Sequence, residues 1–183
     1  MKSNEEILQE AQKAGFDNYK LIEASRLHFC RDFRKYCEVN YCGNYGKNYS
    51  CPPGCGTPEE MEERTRKFDT VLVLQTITPV QDITDGEETK KIKLRHNEMT
   101  WNLIEKIGGE IGEYLPAMAG PCGLCTPCAM AEDMECRFPE KKASCLSAYC
   151  IKVDALAEEC KIPYWCEDKV AFFSLLFLKK TVQ

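Results

Sequence analysis

Four cysteines fall within one short stretch, Gly120 to Pro139, which reads GPCGLCTPCAMAEDMECRFP. Cys122, Cys125, Cys128 and Cys136 are spaced C-x2-C-x2-C-x7-C. Three thiols at every third residue, opened by Gly-Pro and closed by Arg-Phe-Pro, suit neither helix nor sheet packing. They suit a chain that wraps around an inorganic core. Structural zinc sites usually take their thiolates as separated C-x2-C pairs around one tetrahedral ion. A run of three with a fourth further on is closer to the ferredoxin run that holds a [4Fe-4S] cube. The match is partial, because seven residues precede the fourth cysteine and the nearest proline follows Arg137-Phe138. An iron-sulfur cluster is the expectation here. Zinc is the alternative, and disulfides or free thiols are the readings that need no metal.

A second group of thiols lies upstream in RKYCEVNYCGNYGKNYSCPPGC. Its ligand candidates are Cys30, Cys37, Cys42, Cys51 and Cys55. Gly43, Gly46, Pro52, Pro53 and Gly54 forbid long regular structure between them. Tyr36, Tyr41, Tyr45 and Tyr49 are interleaved with the thiols. Rings placed beside a cluster exclude water and tune its potential; rings in a helix-poor lobe also simply pack. Arg26, Arg31, Arg34, Lys35 and Lys47 make the region locally basic. They suit offsetting a thiolate-ligated cluster or docking an acidic partner, and equally a solvated charged face.

The chemistry these ligands permit is narrow. The chain has only two histidines, His28 and His96. His28 lies two residues before Cys30 but reads as a surface residue, and His96 sits in a helical stretch as a structural one. Metal sites are then all-thiolate, which favours zinc, Cu(I) or iron-sulfur over magnesium or calcium. Thirteen cysteines in 183 residues is an odd count, which argues against a closed set of internal disulfides. The N-terminus lacks a secretory pattern and no apolar run is long enough to span a bilayer, so a cytoplasmic protein with no membrane segment is expected. A net charge of -5 disfavours a general nucleic-acid surface.

The elements that must position these loops alternate. A single domain over residues 1–183 is expected, with cysteine loops at about 28–56 and 120–139. Ser3 to Gly15 predicts a helix opened by a Ser3/Glu6 capping box, with Ile7, Leu8, Ala11 and Ala14 on its apolar face. Tyr19 to Ala24 predicts a short strand. Thr57 caps a second helix, with Pro58 in its first turn and Glu60 in the box position, running to about Phe68. Asp69 to Thr78 is an unbroken β-branched and apolar run, which predicts a strand buried on both faces. Helical spacing from Ile92 to Leu115 predicts a long helix over 87–115, with Gly108, Gly109 and Gly112 as weak points. Pro116 to Gly120 predicts a short strand that delivers the chain into the Cys122 run. Ser144 is read as a cap for a short helical segment, Val153 to Cys160 as an amphipathic helix, and Lys169 to Leu178 as a final buried strand. Cys145, Cys150, Cys160 and Cys166 lack metal-type spacing and read mainly as packing residues, with Cys145 the first exception because it lies nearest the cluster run. This order predicts an α/β fold with a small central sheet flanked by helices. The two cysteine loops each follow a strand, and would share one rim of the sheet if those strands run the same way.

Taken together, CEVNYCGNYGKNYSCPP at Cys37 to Pro53, TPEEM at Thr57, and CGLCTPCAMAEDMECRFPEKKASCLSAYCIKVDALAEECKIP at Cys122 to Pro163 resemble a family of predicted metal-binding proteins, domain of unknown function 2284. The resemblance covers most of the chain in order. It implies two cysteine-rich metal sites, with [4Fe-4S] clusters as the expected cofactors, in a small cytoplasmic protein of mostly anaerobic microbes. It assigns Cys37, Cys42 and Cys51 to one site, and Cys122, Cys125, Cys128 and Cys136 to the other. Cys30 or Cys55 then stands as a candidate fourth ligand of the first site. The similar sequences carry glycine where this chain has Cys150, so Cys150 is not a general ligand.

Three functions follow as expectations. The first is electron transfer through two [4Fe-4S] clusters to an unidentified redox partner. The second is an enzyme with an open iron at Cys37, Cys42 and Cys51, served by Lys47, Tyr45 or Glu38. The third is a structural or regulatory zinc module, in which no helix-turn-helix for DNA binding is visible. Four thiolates close a site and three leave it open, so the fourth ligand separates the first two.

Overall fold

The computed structural model describes residues 1–179. Five strands form one sheet in the order β1-β2-β5-β3-β4. They are β1 (Asn18–Glu23), β2 (Thr70–Pro79), β3 (Tyr114–Met118), β4 (Ser144–Cys145) and β5 (Lys169–Leu178). The helices are α1 (Asn4–Lys13), α2 (Arg34–Val39), α3 (Pro58–Thr65), α4 (Gly86–Ile107) and α5 (Val153–Cys160). This is the mixed α/β sheet flanked by helices that the alternation predicts.

Local signals set most boundaries. Ser3 Oγ accepts from the Glu6 N–H while the Glu6 carboxylate accepts from the Ser3 N–H, which closes the capping box of α1. Thr57 and Glu60 do the same for α3, with Pro58 opening it. The apolar runs of β2 and β5 pair with each other along ten residues. Alternate residues then pack two separate cores. Leu72, Leu74, Leu176 and Leu178 face α1 and α4, where they meet Ile7, Leu103 and Ile107. Val71, Val73, Leu175 and Phe177 face the opposite side, against Met61 of α3 and Leu156 of α5. That second side also holds Cys55 of the first cysteine loop, while the Cys122 loop borders α4 at Lys93 and Leu94.

Two expectations change. The long helix ends at Ile107, not Leu115. Gly108 starts a single 3-10 turn, and Tyr114 and Leu115 belong to β3, where they pair with Leu178 and Phe177 of β5. Strand pairing here outweighs an apolar spacing that continued the helix only by register. Ser144 is not a helix cap: Ser144–Cys145 is a two-residue strand, the one parallel partner of β3 among the described strands.

A third result concerns the rim. β1 runs antiparallel to β2, β2 to β5, and β5 to β3. The strands before the two cysteine loops therefore point in opposite directions. The loops leave opposite ends of the sheet, and only side-chain and backbone bonds bring them together. No helix among the described residues is long and apolar enough to cross a membrane.

Candidate metal centre

The first cysteine set is assembled from separate turns. Cys37 rides on α2, which stops at Asn40 in the left-handed conformation with its N–H on Cys37 O. Cys42 follows in an exposed loop. Cys51 closes a turn by donating its N–H to Asn48 O at 2.9 Å, and Cys55 donates to Cys51 O at 2.9 Å. Cys51 and Cys55 are buried, while Cys30 and Cys37 are half-buried.

Arg34, one helical turn before Cys37, ties this set together. It is only 8 % exposed. Its guanidinium donates to Gly56 O at 2.7 Å and to Ala148 O at 2.9 Å. Its Nε is buried with no hydrogen-bond partner among the described residues, and no carboxylate there pairs with it. A buried cation needs an anion nearby to offset its desolvation. The Arg34 charge lowers the thiols of Cys37, Cys55 and Cys150 against the effect of their burial.

Burial is the main force on these thiols, and their mutual repulsion adds to it. The Cys37 thiol is pushed up to about 11 by burial first and then by the charge of Cys145, with Cys150 and Cys42 adding and Arg34 opposing. Cys51 is pushed up to about 12, again by burial first, with Ser50 opposing through a hydrogen bond and Cys145, Cys42 and Cys55 adding. Cys55 is raised by burial and Cys145, and lowered by Arg34. Cys145 is itself raised by burial, while backbone N–H groups of Ala148 and Ser147 pull it back and Cys42 pushes it up.

The second set is contiguous. Cys122, Cys125, Cys128 and Cys136 are all half-buried in a loop that holds one 3-10 turn, Ala129–Glu132. Burial raises the Cys122 thiol, N–H groups of Leu124 and Ala143 pull it down, and Cys128 and Cys136 push it up. Arg137 crosses this loop. It donates to Pro127 O at 3.2 Å and pairs with Glu132, and Cys125 and Glu132 together raise its pKa. Each set thus has its own arginine, one buried and one exposed.

The two sets meet through Asn48 and Ser50. Ser50 is fully buried; its hydroxyl accepts from the Cys122 N–H at 2.9 Å, donates to Asn48 Oδ1 at 2.9 Å, and stands 3.8 Å from Cys51 Sγ. Asn48 Nδ2 donates to Cys122 O at 2.9 Å. Gly54 packs so closely on Met130 of the second loop that a Cβ there would lie 3.1 Å from its Cε. Tyr49 donates to Met134 O at 2.8 Å. Tyr36 and Tyr41 are exposed, so they shield nothing. A cleft of about 890 Å³ opens between the sets, with Cys42 on one wall, Cys122, Cys125 and Cys128 on the other, and Lys47 and Lys93 at its edge.

The remaining sites fall out as follows. Among the described residues no group of three His, Cys, Asp or Glu side chains is arranged to hold a single metal ion. The fit to a metal therefore rests on donor chemistry: crowded thiols, backbone N–H groups aimed at sulfur, and a cation beside each set. His28 is exposed, and His96 is buried against Thr76 with its ring held neutral, its pKa lowered to about 4 by burial. Cys160 packs in the core beside Leu156. Cys150 is buried with φ +58°, a backbone state glycine adopts freely. One residue was not singled out by the sequence: Arg34, which looked like one of several surface cations.

Two thiol-rich loops joined through Asn48 and Ser50 on a mixed sheet fit a cysteine-rich, metal-binding class of protein. Residues 20–178 match the family model described as Predicted metal-binding protein (DUF2284), and the chain belongs to that family. No curated protein and no solved structure matches it.

Proposed function

We propose that this chain is a cytoplasmic iron-sulfur protein that carries two [4Fe-4S] clusters and passes single electrons to a partner protein. Cys122, Cys125, Cys128 and Cys136 hold one cluster; Cys37, Cys42 and Cys51 hold the other. The observation that carries this reading is Arg34, a buried cation without a carboxylate, set among crowded thiols. A thiolate-ligated cluster supplies the negative charge that Arg34 lacks. The C-x2-C-x2-C run favours a cube over one zinc ion. Such clusters, when bound, supply reversible one-electron chemistry. The protein's own residues provide burial, hydrogen bonds to sulfur and counter-charge. Leu124, Met134 and Phe138 are exposed around the second set and offer an apolar rim where a redox partner would approach it.

The cleft beside exposed Cys42 favours a second reading, an enzyme whose first cluster keeps one iron open to a small substrate.

The test is iron and acid-labile sulfide content of protein purified without oxygen, with absorption spectra before and after dithionite. About eight iron and eight sulfide per chain, with a visible band bleached by reductant, is the expected result. About four of each would leave a cluster only in the Cys122 run. Colourless protein with zinc and no sulfide would overturn both redox readings.

A further inference from the structure

We propose that the groove between α4 and the start of the Cys122 loop binds a small organic anion: an apolar ring system that carries one carboxylate or similar group. The proposal stands apart from the iron-sulfur reading, because it uses no metal and no thiol.

The groove is built by a clamp between helix and loop. Asn97 Nδ2 donates to Ala119 O at 2.7 Å, and the Ala119 N–H donates to Asn97 Oδ1 at 3.0 Å. This double bond fixes the spacing of α4 and the chain that enters the cysteine run. Gly120 follows at φ +79°, and a Cβ there would lie 3.0 Å from Lys93 Cδ. The Lys93 side chain thus lies against the backbone at the edge of the groove. Beside the clamp a cavity of about 330 Å³ stays open. Small-molecule sites run from about 300 to about 1,000 Å³, so this one suits a compact ligand.

The lining is apolar where the ring would sit. Met118 and Ala143 are buried beneath it. Trp101 is half-buried on its helix side. Leu94 of α4 and Leu124 of the loop border the same space and are 51 % and 41 % exposed. The Asn97 amide is already spent on Ala119, so the apolar floor holds water weakly. A ring that displaces this water buries two leucines and part of an indole.

Charge selects an anion and sets its direction. Four charged side chains border the groove: Lys93, Glu98, Glu105 and Lys141. Lys141 and Glu105 pair with each other at 3.3 Å. Glu98 stands five residues past Lys93, about 7.5 Å further along the helix. Lys93 also borders the adjoining cleft, whose lining includes Lys47 and Lys90 and no carboxylate. Among the described residues none of these three lysines has an ion pair, in a chain of net charge -5. A cleft lined by one sign of charge concentrates the opposite sign. The anionic group therefore seats at Lys93, at the lysine end, and the ring runs toward Trp101. Glu98 repels an anion from the other end.

The test is isothermal titration calorimetry on the full chain purified without oxygen. The probes are naphthoate, its neutral counterpart naphthalenemethanol, and inorganic phosphate as an anion without a ring. Naphthoate is expected to bind at one site per chain, about fivefold more tightly than the alcohol, and to weaken with added salt while the alcohol does not. Phosphate should show no saturable binding. Lys93→Met keeps the apolar stem and removes the charge, so it should bring naphthoate down to the alcohol's affinity and leave the alcohol unchanged. Leu94→Ser changes an exposed side chain that folding does not depend on, and should weaken both ring probes about fivefold. Absence of saturable naphthoate binding would overturn the proposal. So would equal affinity for naphthoate and the alcohol, phosphate binding as tight as naphthoate, or naphthoate binding untouched by Leu94→Ser. Colourless protein without sulfide that still binds naphthoate would support this site and overturn only the iron-sulfur reading.

Discussion

The two cysteine sets solve one problem in opposite ways. The second lies within a single loop, half-exposed, with its arginine at the surface. The first draws Cys37, Cys42 and Cys51 from separate turns, with a buried arginine one helical turn before Cys37 that grips Gly56 and the loop after β4. Contiguity lets a loop close around a core with little help. Dispersal makes the site a product of the fold, so its chemistry and the stability of the sheet face are coupled. Two thiols of the dispersed set, Cys37 and Cys51, are pushed up to about 11 and about 12, and burial together with hydrogen bonds to sulfur lowers or raises a cluster's potential.

The largest effect that would break this contrast is all-or-none. A peptide of residues 120–139 is expected to assemble a cluster alone under reconstitution with iron and sulfide, followed by its visible absorption. A peptide of residues 28–56 is expected to assemble none. Assembly by both would erase the distinction. Next comes Arg34→Met. It strips hydrogen bonds from Gly56 O and Ala148 O and removes the counter-charge of the first set. One buried and one half-buried acceptor left unpaired cost about 2–4 kcal/mol, read in urea unfolding. Iron content should fall by about half, with the second set intact. Unchanged iron in a folded Arg34→Met protein would show that the guanidinium serves packing alone.

This difference also sets what could be read from the sequence. The Cys122 run announced itself because every ligand lies within one short stretch. The capping boxes at Ser3 and Thr57 and the long apolar strands were equally local. The end of α4 was not: Ile111, Tyr114 and Leu115 continue a helical spacing, and only the pairing of Tyr114 with Leu178 shows them leaving it. Arg34 looks like its neighbours Arg31 and Lys35 in the sequence, yet those two pair with Glu59, Glu62 and Asp32 at the surface. Its burial depends on carbonyls 22 and 114 residues away. Cys145 is placed by a two-residue strand too short for any pattern to mark.

A smaller effect separates the sets by pH. In metal-free reduced protein, Cys37 and Cys51 keep their protons to about 11 and about 12, against 9.0 for an ordinary thiol. Below pH 9.0 both folded and unfolded chains hold these protons. Above it the unfolded chain releases them first, so the unfolded state binds fewer protons and stability falls as pH rises. Urea midpoints should therefore drop between about pH 8 and about pH 10.5. A Cys37→Ala/Cys51→Ala double variant should show a flatter profile than wild type. An equally steep profile would place the alkaline loss elsewhere.

The smallest effect concerns Cys150, a buried thiol of the turn that Arg34 holds. Cys150 sits at φ +58°, buried beneath Arg31 and Ala148. Holding a side chain in the left-handed region costs about 1 kcal/mol, which Cys150→Gly relieves. The same change exposes the space of one small apolar side chain, worth about 1 kcal/mol in the other direction. The two nearly cancel, so the urea midpoint should barely move and iron content should stay at the wild-type level. Loss of iron in a folded Cys150→Gly protein would make Cys150 a ligand. The first site would then draw on the turn after β4, and Arg34, which already lowers the Cys150 thiol, would be its direct counter-ion. Retained iron makes Cys150 a packing residue, with its thiol turned to the carbonyls of Arg31 and Ala148.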